Sequence, residues 1–220
     1  MKKQILLVQK QTVQKLFVFA FGLLPFTANA QCPDDNHPHM IDLGLPSGTK
    51  WACCNVGAAT PEECGEFYAW GETEPKDSYT EENYAFYYKN RQGVFYEKLG
   101  NISGTKYDVA HVKWGGDWVM PTPEQMGEII TECETGCPKS NHSLFKVYGP
   151  NGNYIIIPMG GFKKNYIRED KGDVCWIWIG SYIESYKFGA WGFFGHCFSK
   201  GGAGKDRYLG YNVRPVVNSK

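Results

Sequence analysis

Aromatic rings set beside carboxylates are the chemistry this chain offers most plainly. In Tyr68-Ala69-Trp70-Gly71-Glu72-Thr73-Glu74 two acids follow two large rings within one short stretch. Sugar rings present flat C–H faces that stack on Trp or Tyr planes while nearby amides and carboxylates hold the hydroxyl groups, so this pairing suits glycan recognition. The same two acids invite a second reading, glycoside hydrolysis, which needs two carboxyl groups roughly 5 to 9 Å apart. Phe, Trp and Tyr make up 15% of the chain, with seven Trp, and no Trp lies before residue 31. Trp51, Trp118, Trp176 and Trp178 fall on predicted strands or beside a predicted helix start and are expected in the core. Trp191, with Gly189 and Gly192 close by, is the candidate for a surface ring. Trp70, Glu72, Trp191, Lys205 and Arg207 are the expected ligand-binding residues.

Metal and nucleophile chemistry has thinner support. His37 and His39 lie with Asp34 and Asp35 in a polar, proline-broken lead-in, residues 31–39. That segment reads as a solvated tail in which nothing fixes ligand geometry. Cys133 and Cys137 sit four apart and Cys53 and Cys54 are adjacent, but paired Cys-x-x-Cys knuckles are missing, so neither a metal site nor a cofactor is expected. Serine-nucleophile, phosphate-loop and zinc-protease signatures are absent, and no catalytic residue is assigned.

The elements that must position these residues are legible in places. Thr122, Pro123 and Gln125 form a helix start, and Met126, Ile129, Ile130 and Cys133 recur at helical spacing until Gly136. Thr60-Pro61-Glu62-Glu63 repeats the same start, stopped by Gly65 after about one turn. Residues 79–107 lack a clear period and read as an excursion with a short helix near Glu81 to Tyr88. Asp42 to Ala52 reads as a hairpin turned at Pro46-Ser47-Gly48. A second hairpin pairs Leu144–Tyr148 with Tyr154–Pro158 around Asn151-Gly152. Val174 to Ile179 is apolar on both faces and predicts a central strand. Phe188–Phe194 and Leu209–Val217 predict further strands, and glycine-rich Lys200–Arg207 between them reads as a mobile loop.

The amino terminus carries Lys2, Lys3, Lys10 and Lys15, then an apolar run from Leu16 to Phe26, then Ala28-Asn29-Ala30. This is the pattern of a secretory leader, residues 1–30, and the run is too short to cross a bilayer core of about 30 Å. Gln31 and Asn29 are poor surroundings for acylation of Cys32. Taking the leader's four lysines from the 23 basic residues leaves 19 against 23 acids, a net charge of −4 on about 190 residues. That charge points away from nucleic acid, no second apolar stretch of spanning length occurs, and the length suits one domain. All eight cysteines follow the leader, so disulfides are expected in an oxidising compartment. Cys175 with Cys197, tying two late strands, and Cys53 with Cys64 are two of the many pairings open to them.

Taken in order, Asp42–Ala52, Asn55-Val56-Gly57-Ala58, Pro61-Glu62-Glu63, Tyr68–Thr73, Trp114–Thr122 and Asn212-Val213-Arg214-Pro215-Val216 resemble the Fibrobacter succinogenes major paralogous domain family. That domain occurs in surface and secreted proteins of Bacteroidetes and related bacteria, and here it covers residues 40–220 after the lead-in. Met120-Pro121-Thr122 before a helix and the closing Val213-Arg214-Pro215 also look like a remote version of the formylglycine-generating-enzyme and C-type-lectin-like group. The resemblance implies an α+β, C-type-lectin-like fold with one or two principal helices on twisted antiparallel sheets and long loops, stabilised by disulfides. It also implies a Cys54–Cys133 bridge. The oxidase's arginine- and glycine-rich surround and the lectins' calcium-binding triplets are missing, so the fold is implied without either activity. The expectation is an exported, non-enzymatic domain in the periplasm, on the outer surface or secreted, that recognises a glycan or another extracellular component. A polysaccharide-active enzyme and a structural subunit of a surface assembly are the alternatives.

Overall fold

A computed structural model of the protein describes residues 36–218. The expected leader and Cys32 lie outside the described residues. Along the chain run β1 (Met40–Asp42), β2 (Lys50–Ala52), β3 (Tyr87–Asn90), β4 (Gly93–Tyr96), α1 (Val109–Trp114), α2 (Pro123–Glu132), β5 (Glu134–Gly136), β6 (Leu144–Tyr148) and β7 (Tyr154–Pro158). They continue as β8 (Phe162–Lys164), β9 (Ile167–Glu169), β10 (Cys175–Tyr182), β11 (Gly189–His196), β12 (Ser199–Asp206) and β13 (Val216–Val217). The architecture of the described residues is α+β: two helices and several small sheets, with three-stranded orders β1-β2-β13, β5-β6-β7 and β10-β11-β12.

The largest sheet divides the interior by parity, because successive side chains of a strand point to opposite faces. Ile177, Ile179 and Phe193 join Leu43, Trp51, Met126 and Phe145 in one core. Trp176, Trp178 and Ala190 join Trp70, Ile102 and Tyr211 in the other. Two indoles lock the second core to the chain crossing it, with Trp178 Nε1 donating to Tyr68 O and Trp70 Nε1 donating to Ile179 O, each at 2.8 Å. Tyr211 stacks on Trp178 with ring centroids 4.2 Å apart.

α2 begins as expected: Thr122 Oγ1 accepts from Gln125 N and Gln125 Oε1 accepts from Thr122 N. It ends at Glu132 rather than Gly136, because Cys133 turns extended and residues 134–136 pair with β6. The β6–β7 hairpin has the predicted bounds. Thr60–Glu63 closes a single turn, with Glu63 N donating to Thr60 O, and residues 81–86 form turns rather than a helix. α1 was not expected. Asp108 caps it, accepting from Ala110 N and His111 N on one oxygen and from Gly104 N and Met120 N on the other. β10 lies at one end of its sheet rather than its centre, and isolated parallel bridges to Gly161 and Asn212 cover its other side. Of the predicted Leu209–Val217 strand only Val216–Val217 is regular.

The main correction concerns residues 200–207. Ser199–Asp206 is a full strand, paired with β11 from Gly189↔Asp206 to His196↔Ser199. Glycine serves there because neighbouring groups occupy the space a side chain would fill. A Cβ on Gly204 would lie 2.5 Å from Ile183 Cδ1, and one on Gly201 would lie 3.0 Å from the Phe194 ring.

The disulfides also differ. Among the described residues the one bridge is Cys137–Cys197, so Cys197 is not joined to Cys175. Cys54–Cys133 and Cys53–Cys64 are likewise not bridged, although Cys54 and Cys133 share a core. Burial pushes the Cys133 thiol from 9.0 up to about 11 and the Cys175 thiol up to about 12.

Arg214 ties its segment to the end of β2 and to β7. Its wholly buried guanidinium donates from Nε to Asn55 Oδ1 at 2.8 Å, from Nη1 to Ala52 O at 2.9 Å and from Nη2 to Ile156 O at 2.7 Å. Arg214→Ala leaves those acceptors buried without this donor and should destabilise the protein by about 3–5 kcal/mol in urea denaturation, with Arg214→Lys recovering only part. The two thiols predict a pH dependence. The folded state keeps protons that the unfolded chain releases, so the thiol contribution is intact below about pH 9 and falls as pH rises toward 11. Urea midpoints measured with Cys133→Ala and Cys175→Ala variants should show a shallower alkaline decline than the parent.

Candidate functional site

The Tyr68–Thr73 segment makes a tight turn, with Glu72 N donating to Ala69 O at 3.0 Å. Gly71 sits at φ 84°, and a Cβ there would meet Leu99 Cδ1 at 2.8 Å and the Phe86 ring at 3.1 Å, so only glycine fits. Beside this turn opens a cleft of about 390 Å³ lined by Gly71, Glu72, Glu74, Lys76, Phe86, Lys106 and Tyr107, among others.

One wall is aromatic: the Phe86 and Tyr107 rings meet edge to face at 5.4 Å. Lys106 lies 5.0 Å from the Tyr107 ring centroid with its side chain exposed. The polar side is built from Glu72 and Lys76, which pair at 2.8 Å. Glu72 Oε1 also accepts from Ala85 N at 2.7 Å, and Lys76 Nζ donates to Asn83 O at 3.1 Å. Together these contacts fold the 73–86 segment back on the turn. Glu72 is therefore a strut of the cleft, its side chain 9% exposed. Glu74, 73% exposed, forms an ion pair with Lys113 of α1.

The other expected ligand residues divide between core and surface. Trp70 is fully buried, and Arg207 is 2% exposed. The Arg207 guanidinium lies 5.0–5.8 Å from the Trp70, Tyr84 and Tyr96 ring centroids and donates to Glu97 O and Lys187 O. Trp70 is thus a core side chain, and Arg207 lines a separate, smaller pocket with Tyr96, Lys98, Tyr182 and Lys187 rather than the cleft beside Gly71. Lys205 lies 4.3 Å from the Trp176 ring centroid. Trp191 is a surface ring at 38% exposure, resting over glycine: a Cβ on Gly202 would be 3.9 Å from its ring. It belongs to a face of β11–β12 and does not line the cleft.

Sequence reading missed Phe86, Lys106 and Tyr107, which lie in segments without hydrophobic period. It also missed that His37 and His39 come together with Cys53. The signal for the second was present, since the β1–β2 register sets residue 39 opposite residue 53.

No protein-family model, curated protein or solved structure matches this chain.

The two acids of the cleft should separate on mutation. Glu72→Ala removes a largely buried acceptor from Ala85 N and Lys76, and should cost about 1–3 kcal/mol in urea denaturation. Glu74→Ala, at an exposed ion pair, should change stability by no more than about 0.5 kcal/mol.

Proposed function

We propose that this protein is an exported, non-enzymatic binding domain whose ligand is a glycan, taken in the cleft between the Gly71 turn and Tyr107. The observation that carries the reading is the pairing, in one cleft, of an aromatic wall with a charged fringe. Phe86 and Tyr107 offer ring surface for the C–H face of a sugar, and Lys106 and Glu74 offer charged groups for its hydroxyls. Trp191 supplies a second exposed ring on another face, suited to a further unit of an extended polymer.

The α+β arrangement with irregular excursions agrees with a C-type-lectin-like fold and with membership of the Fibrobacter succinogenes major paralogous domain family, and both belong to the proposal. Export rests on the leader-like sequence of residues 1–30 and on the Cys137–Cys197 bridge. No helix among the described residues is long and apolar enough to cross a membrane. The hydrolase alternative is disfavoured by the local role of Glu72, whose carboxylate is committed to Lys76 and Ala85 N.

A polysaccharide array followed by titration of the best ligand tests the reading. Tyr107→Ala should weaken binding about tenfold, as expected for loss of one stacking ring, while Glu74→Gln retains most of it. Absence of binding to every polysaccharide class, or reducing-sugar release that disappears in Glu72→Gln, would count against it.

A further inference from the structure

The lead-in before β1 is anchored where it meets the end of β2. The hairpin pairs Ile41 with Trp51 and Met40 with Ala52, and the next pair in that register is His39 with Cys53. The backbone continues the ladder, with Cys53 N donating to His39 O at 3.0 Å, and His39 N donates to Cys53 Sγ at 3.1 Å. His37 lies two residues earlier, across the cis His37–Pro38 bond, and its ring meets that of His39 edge to face at 5.2 Å. His37 Nδ1 is 3.3 Å from Cys53 Sγ, and His39 Nδ1 is 3.9 Å from it. The three ligand atoms lie within 4.8 Å of one another, the one such group of His, Cys, Asp or Glu among the described residues.

From this geometry we infer that His37, His39 and Cys53 form a binding site for a divalent transition metal of the zinc class. Two imidazoles and a thiolate are borderline-soft donors, the set that zinc prefers over the all-oxygen shells of calcium or magnesium. In a tetrahedral zinc site the bond lengths place neighbouring nitrogen and sulfur donors about 3.5 Å apart. The separations here bracket that value, so an ion needs small side-chain adjustments and no rebuilding of the backbone. Cys53 is buried in the first core while both histidines are half-buried, which gives the site a fixed sulfur on one side and solvent access on the other. Three protein ligands leave the fourth position of a tetrahedron for water or another donor. The site is independent of the proposed glycan cleft, because none of its residues lines that cleft.

The test uses the full chain, purified without reductant and freed of metal with a chelator, then titrated with Co²⁺ and with Zn²⁺. One equivalent of Co²⁺ should give a thiolate-to-cobalt charge-transfer band and intense visible bands of tetrahedral geometry, and Zn²⁺ should abolish both. Cys53→Ser should remove the charge-transfer band. His37→Gln with His39→Gln, its fold checked by an unchanged circular dichroism spectrum, should weaken binding more than about 100-fold, beyond what loss of a supporting contact costs. Cys64→Ser should leave the spectrum unchanged. Failure to bind Co²⁺, a charge-transfer band that survives Cys53→Ser, or a peptide map of the purified chain with Cys53 in a disulfide would overturn the assignment. Glycan binding measured in the same histidine variant reports separately on the cleft.

Discussion

The guanidinium of Arg214 is the contact on which the arrangement of the chain depends. A buried cation must have its donors met, since each orphaned hydrogen bond in the interior costs on the order of 1–3 kcal/mol. Arg214 meets that demand by drawing its own segment to two places far from it in sequence: Ala52 and Asn55 at and just after the end of β2, and Ile156 of β7. Asn55 passes the constraint onward by donating from Nδ2 to Cys64 O. Two residues before Arg214, Asn212 repeats the pattern, donating to Glu66 O while its backbone pairs with Trp176 and Trp178. The chain's last segment thus holds both the first hairpin and the largest sheet.

What could be read from the sequence, and what could not, follows from the range of the forces involved. α2 was legible because a capping box and a stripe of apolar residues are local, and the β6–β7 hairpin because Asn-Gly turns announce themselves. β12 was not. Its strand character comes from the rings of Trp191 and Phe194 and from Ile183 lying over missing side chains, and a sequence records that only as glycine. The disulfide partners were illegible for a similar reason, since Cys137 and Cys197 are 60 residues apart and meet only once β5 and β11 are placed. In the candidate cleft, Glu72 was found but not its ties to Lys76 and Ala85 N, while Tyr107 and Phe86 were passed over in a segment of no period. The His37-x-His39 pair looked like a solvated tail because its third partner appears only when hairpin register is applied.

Most of the polar and aromatic side chains that first suggested chemistry are spent on structure. Trp70, Trp178, Arg207 and Arg214 direct their donors to backbone carbonyls and hold loops that carry little regular secondary structure. This explains how long excursions such as residues 97–108 keep one shape: polar anchors replace the hydrophobic stripe that would otherwise define a helix or strand. Tyr107 and Lys106, on one of these anchored loops, line the cleft for which ligand contact is proposed.

The Cys137–Cys197 bridge encloses the β8–β9 hairpin, whose tip carries Tyr166 at 83% and Ile167 at 63% exposure. Asn165 in the same turn exchanges backbone hydrogen bonds with the buried Tyr79, so a protease cutting at these exposed side chains must first break that pairing. Severing the backbone there would not release a fragment, because one new piece retains Cys137 and the other Cys197. A nicked molecule would therefore remain a single covalent body, and its damage would be visible only after reduction.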